Sequence, residues 1–116
     1  MPPDRSPDGS PDGSNELNWL TVGEAHELLQ RGDASSVELT RACLDRIDAV
    51  EERVRSFVTL TPDLALEQAE QADRRLAEGN GGPLTGIPVQ VKDVMCTQGI
   101  LTTCASRMWS GFLGCT

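Results

Sequence analysis

The chain has 116 residues, a net charge of −8, two Trp, two Phe and no Tyr, so it can bury only a modest core. This acidic balance argues against a nucleic-acid-binding role for the segment itself, because gripping a phosphate backbone requires clustered Lys and Arg. Neither a secretory signal nor an apolar run of the roughly 18 residues that span a membrane is recognisable. We therefore expect a soluble, cytoplasmic protein with no membrane partner.

Residues 1–16 are predicted to form a disordered polar tail. Ser6-Pro7-Asp8-Gly9 is followed at once by Ser10-Pro11-Asp12-Gly13. Asp-Gly can make a hairpin turn between alternating apolar strands, but no such strands flank these pairs. The folded part of the chain is accordingly expected to occupy residues 17–116.

Three helices are predicted by capping signals and apolar periodicity. Thr21 and Glu24 have the spacing of a capping box, and Gly32 closes the first helix. Ser35 and Glu38 repeat the capping pattern at the start of the second helix, and Pro62 follows Thr61 at the start of the third. The apolar faces that we expect to be buried are Val22, Ala25, Leu28 and Leu29; Leu39, Cys43, Ile47, Val50 and Val54; and Ala65, Ala69, Ala72 and Leu76.

Two short segments are predicted to be strands. Residues 56–60 are β-branched and aromatic, and residues 89–94 alternate after Pro88 in the manner of a strand. The order helix, helix, strand, helix, strand predicts an α/β fold.

Lys92 is the only lysine among ten basic residues, and it lies in the second predicted strand beside Gln90 and Val94. Burial disfavours the charged form of a lysine, and a neutral amine can act as a general base, a role closed to arginine. Local features alone favour the simpler alternative, in which the ammonium group of a strand-end lysine lies in solvent.

Cysteine chemistry and metal binding are weaker alternatives. Cys96 or Cys104 would need an activating base to act as a nucleophile, and the only histidine, His26, is far away in sequence. The other two cysteines are Cys43 and Cys115. The four cysteines do not have the spacing of a metal-binding motif, so we expect reduced thiols and no metal site.

Four motifs in the second half of the chain share a family resemblance. They are Gly86-Ile87-Pro88, Val91-Lys92-Asp93, Cys96-Thr97-Gln98-Gly99-Ile100 and Thr102-Thr103-Cys104-Ala105-Ser106. Together they resemble the N-terminal signature of amidase-signature enzymes, and more closely that of the A (glutaminase) subunits of aspartyl/glutamyl-tRNA amidotransferases. The earlier motifs Ser36-Val37-Glu38-Leu39-Thr40 and Leu66-Glu67-Gln68-Ala69 are also similar to these subunits.

The resemblance implies that residues 17–116 form the N-terminal portion of an amidase domain, with helices followed by the first strands of a mixed central sheet. It implies a Ser–Ser–Lys triad in which Lys92 is the catalytic lysine. The expected substrate is glutamine, whose released ammonia would convert Glu-tRNA(Gln) or Asp-tRNA(Asn). The expected partners are amidotransferase B and C subunits and misacylated tRNA. No cofactor is expected in this chain, since ATP and Mg would be used by a partner subunit.

The sequence departs from the family pattern after Phe112, because no Gly/Ser-rich segment with the two triad serines follows Lys92. We therefore expect a truncated or frame-shifted product that is inactive alone. Two alternatives are a fragment of another amidase that acts on a small amide and a non-catalytic helical module that binds a partner. The module would be a stably folded monomer, whereas a fragment would expose strand edges and aggregate.

Overall fold

A computed structural model of the protein describes residues 16–108, so the predicted tail lies outside the described residues apart from Glu16. A single 3₁₀ turn, Leu17–Trp19, precedes three α-helices: α1 (Val22–Arg31), α2 (Ser36–Val54) and α3 (Pro62–Ala77). The described residues form two compact units. The helical unit comprises residues 16–54 and 61–88, and the lysine unit comprises residues 55–60 and 89–108.

Helix α1 begins and ends at the predicted residues. The Thr21 hydroxyl accepts a hydrogen bond from the Glu24 N–H at 3.3 Å, and the Glu24 carboxylate accepts one from the Thr21 N–H at 2.7 Å. These reciprocal bonds satisfy amides that the first turn leaves without helical partners. At the other end Gly32 adopts the left-handed conformation with φ 73°, which a residue with no Cβ adopts without steric cost. The capping box and its glycine stop are confirmed.

Helix α2 is capped twice, once locally and once from α3. The Glu38 carboxylate accepts the Ser35 N–H at 2.7 Å, and the Ser35 hydroxyl accepts the Glu38 N–H at 3.1 Å, as the sequence predicts. Asp73 adds a second cap, because its carboxylate accepts the N–H groups of Ser36 at 2.7 Å and Val37 at 3.2 Å. A side-chain cap of this kind stabilises a helix by about 0.5–2 kcal/mol, and a carboxylate also suits the positive end of the helix dipole.

The core of the helical unit lies between the three helices. Ala25, Leu29 and Leu39 are buried, and further apolar side chains pack around them: Leu17, Leu20, Leu76 and Ile87. Helix α3 contributes the buried Ala69, which lies on the small-residue face predicted for it. The apolar face predicted for α2 begins at the buried Leu39, as expected. Its last predicted residue, Val54, is 59% exposed, so that end of the prediction is wrong. Thr61 precedes α3 as predicted, although its side chain makes no capping hydrogen bond.

Gly86 joins the signature segment Gly86-Ile87-Pro88 to this core. Its φ of 87° is unfavourable for a residue with a side chain. A Cβ at this position would lie 3.1 Å from a methyl group of Leu29 and 3.2 Å from the Cβ of Ser36. The Ser36 hydroxyl donates a 2.8 Å hydrogen bond to the Gly86 carbonyl. Glycine is therefore required here both for its backbone conformation and for the close packing.

The α/β prediction is not confirmed. Residues 56–60 and 89–94 form no strand, and the described part of the chain has only an isolated bridge at Leu101. The physical reason is that a strand requires a neighbour to pair its N–H and C=O groups, and residues 16–108 provide no such ladder. Val58 and Val89 are instead 65% and 79% exposed. Among the described helices, none is long and apolar enough to cross a membrane.

Candidate functional site around Lys92

Lys92 lies at the start of a tight turn in the lysine unit. Its carbonyl oxygen accepts a hydrogen bond from the Met95 N–H at 2.9 Å, which closes the turn 92–95. The side chain of Lys92 is exposed, and no ion pair to its ammonium group is found within residues 16–108. Because no strand forms, the predicted shared face of Gln90, Lys92 and Val94 is wrong for the described structure. The exposed position agrees with the solvent-facing alternative that the local sequence favours.

Asp93, the neighbour of Lys92, makes the densest set of hydrogen bonds in the lysine unit. Its carboxylate accepts the Thr103 N–H at 2.9 Å and, through its other oxygen, a short hydrogen bond from the Thr103 hydroxyl. The carbonyl oxygen of Asp93 accepts the Cys104 N–H at 3.3 Å. We call this set of three bonds the Asp93–Thr103 clasp. It connects the turn that carries Lys92 to a segment ten residues further along the chain.

The clasp requires an ionised carboxylate at Asp93. The Thr103 hydroxyl donates to Asp93 and also accepts a 3.2 Å hydrogen bond from the Ala105 N–H, so its single proton is directed at the carboxylate. The side-chain hydrogen bond from Thr103, followed by the bond from its backbone N–H, lowers the pKa of Asp93 below the ordinary value of 3.8. Asp93 therefore carries a negative charge at neutral pH, and it directly follows Lys92 in the sequence.

Backbone strain is concentrated in the segment that the clasp holds. Cys104 and Ala105 both adopt the left-handed conformation, with φ 49° and 54°. Outside glycine this conformation costs roughly 1–2 kcal/mol per residue. The hydrogen bonds from the amides of Cys104 and Ala105 hold the chain in this geometry. Strained residues held by surrounding contacts are frequent at functional sites, so this segment is a candidate part of the site.

Thr102 makes a second link between the two segments. It is 3% exposed, and its hydroxyl donates a long hydrogen bond, 3.4 Å, to the carbonyl oxygen of Met95. The turn 92–95 is thus linked to residues 102–104 at two points, through Asp93 and through Met95. Large apolar side chains nearby contribute little burial, since Val91, Val94 and Met95 are 48%, 54% and 60% exposed. Side-chain hydrogen bonds, more than a hydrophobic core, define this region.

The three described cysteines offer no comparable arrangement, and Cys115 lies outside the described residues. Cys96 and Cys104 are free and exposed, and Cys43 is half-buried in α2, where burial raises the pKa of its thiol. A raised pKa opposes formation of the thiolate nucleophile. Within residues 16–108 no group of three or more His, Cys, Asp or Glu side chains is close enough to hold a metal ion.

The sequence predicts Lys92 as a candidate site residue, but it does not predict the hydrogen bonds that Asp93 makes with Thr103. Thr103 follows Asp93 by ten residues, and this separation matches neither the period of a helix nor that of a strand. Chemically, the arrangement presents an amine from a turn whose backbone is held by a carboxylate. Such an amine can accept a proton once it is neutral, provided that a hydroxyl donor is placed beside it.

Comparison with known proteins places these observations in a family. The Amidase family model matches residues 38–114, which include both the turn 92–95 and the Asp93–Thr103 clasp. The chain is 53% identical over 94 residues to the A subunit of the glutamyl-tRNA(Gln) amidotransferase of Geobacter sp. (strain M21), covering 81% of this chain and 19% of that protein.

Two further relatives carry the same name. The chain is 53% identical over 98 residues to the protein of Geobacter metallireducens, covering 84% of this chain and 20% of the relative. It is 50% identical over 94 residues to the protein of Dehalococcoides mccartyi (strain 195), covering 81% of this chain and 19% of the relative. The chain thus spans about a fifth of the length of these curated relatives. No solved structure matches the chain.

Proposed function

Since the chain belongs to the amidase family, we propose that it contributes the catalytic lysine, Lys92, to the glutamine-hydrolysing subunit of a tRNA-dependent amidotransferase. The observation that carries this proposal is the 53% identity, over 94 residues, to a protein named as the A subunit of a glutamyl-tRNA(Gln) amidotransferase. The chain spans about a fifth of that protein, so the activity is proposed for an amidase domain to which residues 17–116 contribute.

Lys92 is proposed to act as the general base of a Ser–Ser–Lys triad. Its neutral amine would take a proton from a bridging serine, which in turn would take one from the nucleophilic serine. The nucleophile would then attack the side-chain amide carbon of glutamine and release ammonia, leaving an acyl-enzyme that water hydrolyses to glutamate. Neither serine of the triad is assigned to a motif of this chain.

The released ammonia is proposed to serve a partner subunit. That B subunit would use ATP and Mg to activate Glu-tRNA(Gln) or Asp-tRNA(Asn), and a C subunit would complete the complex. The net charge of −8 is compatible with this division of roles, because phosphate-backbone contacts are made by clustered basic residues and can belong to another subunit.

Two apolar segments that form no strand in the described structure are proposed to become strands within a complete amidase domain. Residues 56–60 and residues 89–91, which end before the turn 92–95, keep the β-branched and apolar composition of strands, although residues 16–108 supply no ladder for them. Val58 and Val91 are 65% and 48% exposed, so their side chains are available to pack against further chain. In this proposal a neighbouring strand would complete the mixed α/β sheet and enclose Lys92, which favours its neutral form.

A chimera tests the proposed function. The matched segment of the Geobacter metallireducens relative is replaced by the corresponding residues of this chain, and ammonia release is measured with glutamine, partner subunits and misacylated tRNA. We expect glutamine hydrolysis that depends on Lys92 and tRNA amidation in the assembled complex. A chimera that folds and binds its partners yet releases no ammonia from glutamine would contradict the proposal.

A second candidate is an amidase that acts on a small amide, because the matching family model is that of amidases in general. The same chimera assayed with short aliphatic amides would separate the two candidates. Hydrolysis of those amides at a higher kcat/KM than glutamine, without any effect of tRNA, would favour the small-amide enzyme.

A further inference from the structure

We propose that Asp93 is a positioning residue for Lys92, acting through the Asp93–Thr103 clasp. This inference rests on the proposed role of Lys92 as the catalytic base. It goes beyond that role by assigning a function to Asp93 and Thr103, whose side chains are fixed to each other at one end of the turn 92–95.

The geometry gives the turn two anchors and leaves Lys92 between them. Asp93 binds the amide and hydroxyl of Thr103, and the Met95 carbonyl accepts the Thr102 hydroxyl at 3.4 Å. The Met95 N–H closes the turn on the carbonyl oxygen of Lys92 at 2.9 Å. The backbone of Lys92 is therefore held although its side chain is exposed and has no ion-pair partner in the described residues.

Such anchoring matters because proton transfer depends on placement. A misplacement of about 1 Å in a catalytic group can reduce a rate about a hundredfold. A lysine side chain has four rotatable bonds, so a fixed backbone removes one source of positional disorder. Packing does not supply this constraint, since Val91 and Val94 on either side of Lys92 are 48% and 54% exposed. The clasp is the described feature that can supply it.

Two substitutions break the clasp in different ways. Asp93→Asn replaces one carboxylate oxygen by an NH₂ group, which cannot accept the Thr103 hydroxyl proton. Thr103→Val removes the hydroxyl and keeps the side-chain shape, whereas Thr103→Ser keeps both the hydroxyl and the backbone N–H. Asp48→Asn is the matched control. It makes the same chemical change on the exposed face of α2, at a residue that takes no part in the clasp.

The first test is on the 116-residue chain and does not depend on activity. Backbone ¹⁵N relaxation should give ordered amides at Asp93 and Thr103, which become mobile, with order parameters below about 0.6, in Asp93→Asn and Thr103→Val. Thr103→Ser and Asp48→Asn should match the unsubstituted chain. Unchanged order parameters in Asp93→Asn and Thr103→Val would overturn the proposal.

The second test measures glutamine hydrolysis in the chimera. Asp93→Asn and Thr103→Val should each lower kcat by about tenfold to a hundredfold with KM changed less than about twofold, and the double variant should be no worse than either single one. Thr103→Ser should retain activity. If Lys92→Ala abolishes turnover but Asp93→Asn and Thr103→Val do not lower kcat, the positioning role is overturned while the proposed function stands. If Lys92→Ala retains turnover, both are overturned.

Discussion

The two units of the chain are stabilised by different interactions. The helical unit has reciprocal caps on α1 and α2, the Asp73 cap on α2 and a core around Leu39. The lysine unit has exposed valines and relies on hydrogen bonds around Asp93 and Thr103. Segments with few buried apolar contacts open at low free-energy cost, so we infer that Lys92 lies on the less stable of the two units.

This difference separates residues that maintain the fold from the residue proposed for catalysis. Substitutions in the helical unit should change the free energy of unfolding, and substitutions at Lys92 should change the rate of amide hydrolysis with little effect on stability. Substitutions of Lys92, Leu39 and Gly86, and a pH titration of Asp93, test whether effects on stability and effects on turnover are separate.

Lys92→Ala should give the largest effect on turnover. General acid–base catalysis contributes about 10²–10⁴-fold to a rate, so kcat of the chimera for glutamine should fall by an amount in this range. Lys92→Arg should be nearly as damaging, because arginine stays protonated. In the 116-residue chain, both substitutions should leave the urea midpoint of unfolding unchanged, because the Lys92 side chain is exposed there. A Lys92→Arg chimera with parental kcat would contradict the general-base role.

Leu39→Ala should give the largest effect on stability. Leu39 is 2% exposed and is in the core cluster with Ala25 and Leu29, so its truncation should cost about 2–5 kcal/mol of the free energy of unfolding. Val54→Ala, near the end of the same helix, is the control, because Val54 is 59% exposed and should change stability by less than about 0.5 kcal/mol. Urea denaturation of the 116-residue chain measures both values, and equal effects would break the assignment of the core.

Gly86→Ala should destabilise the helical unit by about 1–3 kcal/mol through backbone strain and overpacking. Two other glycines separate these causes. Gly79 has a φ of 75°, but the Cβ that alanine would add there has no atom within 4 Å, so Gly79→Ala reports the backbone cost alone. Gly23, in the first turn of α1, has neither constraint, so its replacement by alanine should be neutral or slightly stabilising. A Gly86→Ala variant no less stable than Gly79→Ala would show that the contacts with Leu29 and Ser36 are unimportant.

Acidification should loosen the Asp93–Thr103 clasp. The pKa of Asp93 is lowered below 3.8, so the stability that its ionised form contributes is present above that value and is lost as the pH falls through the depressed pKa. The ¹³C resonance of the Asp93 carboxyl should therefore titrate below pH 3.8, with a parallel change at the Thr103 amide. In Asp93→Asn the Thr103 amide should lose this titration. An Asp93 midpoint at or above 3.8 would contradict the clasp.

The predictable part of the fold is the part encoded locally. The capping boxes at Thr21 and Ser35 and the glycine stop at Gly32 depend on residues within one helical turn, and all three are confirmed. The cap from Asp73 could not be predicted, because Asp73 lies 37 positions after Ser36 and 36 positions after Val37 in the sequence. The strands at 56–60 and 89–94 are predicted from composition and alternation, but a strand also requires a partner that these features do not specify.

The candidate site could also be predicted only in part from the sequence. Lys92 could be singled out as the only lysine and by its place in the motif Val91-Lys92-Asp93, whereas its local surroundings favoured a solvent-exposed side chain. Thr103 could not be paired with Asp93 from the sequence, because their separation of ten residues matches neither the period of a helix nor that of a strand. The motif thus singled out Lys92, and the structure showed the hydrogen bonds that hold the turn 92–95.

Hydrogen exchange of the 116-residue chain tests the central claim, that stability resides in the helical unit and Lys92 lies on a weakly stabilised segment. We predict slow exchange for core amides of α1, α2 and α3, including Leu39, and fast exchange at Val89 and Val91. The amides of Thr103 and Cys104 should be intermediate because they are bonded to Asp93. Protection at Val89 and Val91 equal to that at Leu39 would contradict the account.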